Sequence, residues 1–210
     1  MTTLQSAQEQ ISSLHLRLMN AQVSFDLWEE IYNARLSTEI VETMNLYPTF
    51  FTGVEAALFN SFIVLIYSVF EKRFDTVSLH TLLRTLDKSL SQDKKFALSE
   101  QLSLVHPIWT EISILRNQVV GHQALDKSQA KANTFSKAQL RPEEIQELIA
   151  RSQLFVTEIS SSVFNNMLIF NIKSKPDLHN LLTDVTRKNK LGVNELVCSQ
   201  PNIDGPNLSR

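Results

Sequence analysis

Phe51-Thr52-Gly53-Val54-Glu55-Ala56-Ala57-Leu58-Phe59-Asn60-Ser61-Phe62-Ile63-Val64-Leu65-Ile66-Tyr67-Ser68-Val69-Phe70 is the stretch that decides the fold. Apolar side chains recur at Phe51, Val54, Leu58, Phe62, Leu65 and Val69, at spacings of three and four, the period of one helix face. Phe59, Ile63 and Val64 fill the flanks, so this helix is expected to be apolar on nearly all sides and the most buried of the molecule. Phe50, Phe51, Phe62 and Phe70 are expected in the core. Pro48 suits the first turn, and Asp75-Thr76 is expected to end the helix and cap the next. That next helix begins near Ser78 and carries Leu79, Leu82, Leu83 and Leu86 as its buried stripe. The apolar run Ala56 to Phe70, broken by Asn60 and Ser61, falls short of the roughly 20 residues of a membrane span. No membrane association is expected.

Helical signals continue in both directions. The first 47 residues hold no Gly or Pro and read as a long helix or a helical hairpin. Its packing face runs through Ile11, Leu14, Leu18, Phe25, Trp28, Ile31 and Tyr32. Ser91-Gln92-Asp93 marks another helix start, and His106-Pro107 is expected at a helix boundary because Pro fits a first turn better than an interior. A later helix opens at Pro142, with Glu143 and Glu144 favourable against the positive end of its dipole. Its stripe is Ile145, Leu148, Ser152, Phe155, Val156, Ile159 and Val163. The polar segment Ala124–Leu140 reads as a loop, and a short final helix is expected near Pro176–Lys188. Four Gly and six Pro in 210 residues are too few for a turn-rich β-sandwich. The expectation is an all-α bundle of five or six helices, with residues 1–190 as one domain and 191–210 as a disordered tail.

A formal net charge of −2 gives the whole chain no bias toward nucleic acid, but the charge is uneven. Residues 1–47 hold two basic and six acidic groups, whereas residues 116–141 hold Arg116, Lys127, Lys131, Lys137 and Arg141 against Asp126 alone. A single cysteine, Cys198, makes no intramolecular disulfide, and His15, His80, His106 and His179 show no metal-ligand spacing. No metal or other cofactor is expected. The polar N-terminus lacks the profile of a signal peptide, which makes the cytoplasm the expected location.

Chemistry concentrates in Arg116-Asn117-Gln118-Val119-Val120-Gly121-His122. The helix before it has apolar positions Ile108, Ile112, Leu115 and Val119. At about 100° per residue, Arg116 and His122 lie roughly 60° to either side of Val119 and straddle the apolar stripe. An Arg, an amide and a His together suit attack on a phosphodiester. The guanidinium forks onto phosphate oxygens, the imidazole exchanges a proton near neutrality, and the amide orients the substrate. The bland alternative is a helical His held in intramolecular hydrogen bonds. A second Arg–His pair, Arg73 and His80, crosses a helix break and has Phe74 after the Arg, so it is set aside.

Arg116, Asn117 and His122, with Leu58–Leu86 as helix, Asp and helix before them, resemble the abortive-infection U branch of the HEPN superfamily. The signature of that superfamily is Arg, a polar residue, a short spacer and His. The resemblance spans about residues 10–170. It implies a HEPN-like helical bundle that acts as a homodimer with facing motif helices, and a metal-independent endoribonuclease of toxin or phage-defence type. Arg116, Asn117 and His122 would be its catalytic residues, RNA its substrate and a cognate antitoxin protein a further partner. Lys127, Lys131, Lys137 and Arg141 would track the RNA backbone. Gln123 stands where a basic residue is expected. The alternative is a non-catalytic helical dimerisation or partner-binding protein.

Overall fold

The computed structural model describes residues 3–117 and 140–198, with backbone alone for 192–198. Seven α-helices and no strand occur among the described residues. They are α1 (Thr3–Ala34), α2 (Thr38–Asn45), α3 (Pro48–Val69), α4 (Leu79–Thr85), α5 (Gln92–Arg116), α6 (Pro142–Phe164) and α7 (Ser174–Cys198). The helical class is as expected and the count is one or two higher, because the first 47 residues give both a long helix and a short one.

The spine is α1. Its packing face meets α3, α4, α6 and α7, and α5 closes the bundle against α3 and α6. One core runs through Leu14, Leu18 and Phe25 of α1, Phe62 and Ile66 of α3, Leu82 of α4, Leu98 and Ile112 of α5, and Leu148 and Phe155 of α6. Burying each such side chain stabilises the fold by roughly 1.5–3 kcal/mol. A smaller cluster of Ile31, Ala34, Met44 and Leu182 joins the far end of α1 to α2 and α7.

Local chemistry sets the helix starts. Pro48 and Pro142 open α3 and α6. The hydroxyls of Ser78 and Ser91 accept from the Thr81 and Lys94 N–H groups at 3.2 and 3.3 Å, capping α4 and α5. The cap of α4 is therefore Ser78, not Asp75-Thr76; Asp75 instead receives two hydrogen bonds from Arg73, at 3.0 and 2.6 Å.

Other expectations are corrected. Pro107 lies inside α5, not at a boundary. It and Ser103, whose carbonyl loses a helical donor, are both exposed, so solvent reaches the gap. Tyr32 and Phe50 are more than half exposed, because Tyr32 lies beside the packing face and Phe50 sits in the first turn of α3. Nor is α3 the most buried helix. Its core face is Phe59, Phe62, Ile63, Ile66 and Val69, and its other face leaves Thr52, Ala56, Ala57, Asn60 and Val64 exposed. Beginning at Pro48, α3 is also long and apolar enough to cross a membrane by length and composition, which Ala56–Phe70 alone is not.

The last helix starts two residues before Pro176 and runs on to Cys198, well past Lys188. Polar contacts fasten it to α1 and α2. Buried Asp26 accepts from Gln22 at 2.7 Å and from Ser174 at 3.2 Å, and Lys175 bridges Asp26 and Glu29. His179 meets Glu30 at 3.0 Å, and Lys190 pairs with Glu39 at 2.6 Å.

Candidate functional site

Arg116 is the last residue of α5, directly after Leu115, which together with Ile112 is fully buried and fixes the rotation of the helix. The guanidinium lies over the Tyr67 ring of α3, 5.1 Å from its centroid, and donates to the Asn117 side-chain oxygen at 3.1 Å. Among the described residues no carboxylate forms an ion pair with Arg116. A permanently charged fork is thus oriented by an aromatic face and an amide, and most of its donors have no partner among the described residues. Asn117 is exposed and keeps a right-handed helical backbone.

The expected residues divide sharply. Arg116 and Asn117 are brought together by α5, whereas His122, Lys127, Lys131 and Lys137 lie outside the described residues. Arg141 is described and caps α6. Its backbone N–H donates to Glu144 Oε2 at 2.8 Å, and its side chain lies 3.4 Å from the other carboxylate oxygen. The backbone hydrogen bond, followed by the guanidinium contact, lowers the Glu144 pKa.

Sequence spacing gave no hint of a second feature beside Arg116. An aromatic series climbs α5: His106 stacks on Trp109 (5.5 Å, 25°), and Trp109 stacks on Tyr67 (6.0 Å, 19°), which carries Arg116. Lys72 Nζ lies 5.9 Å from the Trp109 ring. The loop after α3 and the start of α4 complete a cavity of about 380 Å³, into which Lys72, His80, Leu83, Ser103, His106 and Trp109 project. His80 is half-buried there. Burial lowers its pKa first, and Lys72, Arg84 and His106 lower it further. The second Arg–His pair does not assemble as a site, since Arg73 is engaged with Asp75. Only the packing of α3, α4 and α5 brings Lys72, His80 and His106 together.

The HEPN AbiU2 family model matches residues 4–188. The chain belongs to this family. No curated protein and no solved structure matches it. The AbiU2 match covers α1 to α6 almost entirely and most of α7, together with the whole stretch from Arg116 to His122. Within this AbiU2 chain, no group of three His, Cys, Asp or Glu side chains among the described residues is placed to hold a metal ion.

Proposed function

We propose that the protein is a metal-independent endoribonuclease of HEPN type, acting as a homodimer in which two copies of Arg116, Asn117 and His122 share one cleft. The observation that carries the reading is the state of Arg116: half-buried, aimed by Tyr67 and Asn117, and paired with no carboxylate among the described residues. An arginine held in this way binds a phosphodiester with two parallel N–H donors. His122, five residues past Asn117, takes the proton of the RNA 2′-hydroxyl as its oxygen attacks phosphorus. The bond from phosphorus to the 5′-oxygen breaks, and that oxygen leaves with a proton from the partner subunit's His122. The products are a 2′,3′-cyclic phosphate and a 5′-hydroxyl. Lys127, Lys131, Lys137 and Arg141 supply positive charge along the strand. A role in phage defence or in a toxin–antitoxin pair, in the cytoplasm, fits such an activity.

The outer face of α3 favours a second reading, a non-catalytic partner-binding protein. Ala56, Ala57 and Val64 are exposed there with Thr52 and Asn60, forming an open face on an otherwise apolar helix.

RNA cleavage in EDTA by the wild type and by His122→Ala separates the two. The nuclease reading expects cleavage by the wild type and a loss of at least a hundredfold in the variant at unchanged melting temperature. Equal activity in both would sink it.

A further inference from the structure

We propose that the trough formed by α1, the outer face of α3 and the extended segment before α7 receives a second copy of this chain, a contact that stands with or without nuclease activity. Its first wall is the segment leading from α6 to α7. The Ile169 carbonyl meets His15 Nε2 at 3.0 Å, and the Ser174 hydroxyl donates to Asp26 at 3.2 Å. From His15 to Asp26 α1 advances about 16.5 Å, and the five residues from Ile169 to Ser174 span that length only when extended, at about 3.3 Å each. The side chains alternate accordingly. Leu168 and Phe170 pack on the core, while Met167 and Ile169 are 77% and 70% exposed.

The floor is α1. At about 100° per residue, Leu16, Asn20 and Val23 lie between the row of His15 and Asp26, which holds the segment, and Ser24, which bonds Ser61 of α3 at 3.1 Å. The second wall is α3, of whose most apolar stretch only 22% is buried. An open groove of about 640 Å³ marks where floor and wall meet, with Asn20, Val23, Asn60 and Val64 on its sides. Small residues, Gly53, Ala56 and Ala57, are exposed along the wall, and a Cβ at Gly53 would meet nothing within 4 Å, so another backbone can approach closely.

What selects a second copy is the charge pattern. Charged residues make up 20% of the chain, yet those of the trough's elements are turned away or already paired. Between Ser12 and Leu27 of α1 they are Arg17, which donates to the Val77 carbonyl at 2.7 Å, and buried Asp26. On α3 the one charge is Glu55, paired with Arg35. A two-fold axis brings each residue beside it up to its own mate, so a face that associates with itself has to be free of charge there. Asn20 and Asn60 suit the same demand, because an amide is donor and acceptor at once and pairs with an identical amide. An acidic or a basic partner would find no counter-charge. Leu16, Val64, Met167 and Ile169 supply the apolar area that contact removes from water. The face ends one turn short of Tyr67, which carries Arg116, so two copies meeting here lie beside the candidate site.

The test is analytical ultracentrifugation of the full chain over micromolar to submillimolar concentrations. The wild type should dimerise. Asn60→Asp and Asn60→Lys, at an exposed position, should each weaken the dimer at least about tenfold, because like charges then face one another across the axis. An equimolar mixture of the two should dimerise again, since opposite charges now meet. Ala57→Glu and Ala57→Lys should behave in the same way, and they keep the test sound if the Asn60 variants fail to fold. A wild type that stays monomeric would overturn the interface, as would a dimer that all four variants leave within about twofold of wild type, or variants that stay monomeric when mixed. Monomers that float with phosphatidylcholine vesicles, and cease to do so once Asn60 is charged, would assign the face to a lipid surface and overturn it as well. The interface and the nuclease fail separately. A dimer that answers to Asn60 without RNA cleavage removes the nuclease alone; cleavage by a chain whose dimer ignores Asn60 and Ala57 removes the interface alone.

Discussion

Among the described residues, Arg116 is held by neighbours that carry no negative charge. A carboxylate partner would hold the guanidinium more firmly, but it would occupy the donors that a phosphate needs. Tyr67 holds it by its ring instead, an interaction of about 0.5–1 kcal/mol at a partly exposed site. Tyr67→Leu should therefore lower RNA cleavage about two- to fivefold in initial-rate assays. Arg116→Lys should lower it much further, since an ammonium loses the planar fork. His80 gives a second residue-scale expectation. Burial, then Lys72, Arg84 and His106, hold its folded pKa below the unfolded value of about 6.5, so the unfolded chain binds the extra proton first. Its contribution favours the fold above about pH 6.5 and is lost as the pH falls from there through the folded pKa. Urea unfolding between pH 7.5 and pH 5 should show a decline that His80→Gln makes shallower.

Among the elements, α3 separates what spacing reveals from what only packing decides. Phe62 is fully buried, with Phe25 and Phe59 edge-on at 5.5 and 5.0 Å, and Phe62→Ala should cost about 3–5 kcal/mol in chemical denaturation. Phe50, 63% exposed on the same helix, should cost less than about 1 kcal/mol on the same change. Both were expected in the core, because helical spacing locates an apolar face but does not say how wide a neighbour covers it. The stripe of α6 at Ile145, Leu148, Ser152, Phe155, Val156 and Ile159 is legible in the sequence because α1 and α5 both pack on it, whereas fully buried Ile149 beside it is not. His106-Pro107 was misread for a different reason. An interior proline is tolerated where its lost hydrogen bond faces water, and exposure is settled by tertiary structure. Arg116 and Asn117 were legible as a local motif on one helix. The cavity of Lys72, His80 and Trp109 was not, since it forms only when α3, α4 and α5 converge.

Across the whole molecule, α7 returns to the N-terminal half and ties α1 and α2 to the C-terminal end through Lys175, His179 and Lys190. Lys175→Met leaves buried Asp26 with only neutral donors and should destabilise the fold by about 1–2 kcal/mol, a figure reduced because Lys175 is about one-third exposed. Protease nicking within α7 should accelerate in parallel. The bundle thus serves as a rigid mount that holds the end of α5, where Arg116 and Asn117 lead toward His122, in a fixed relation to α3 and α4. If this end of the molecule cleaves RNA through its 2′-hydroxyl without a metal, the chemistry of the cut ends reports it most directly. RNA incubated with the full chain in EDTA at pH 7 should yield 2′,3′-cyclic phosphate and 5′-hydroxyl termini. Products bearing 3′-hydroxyl and 5′-phosphate ends, or RNA left intact, would contradict it.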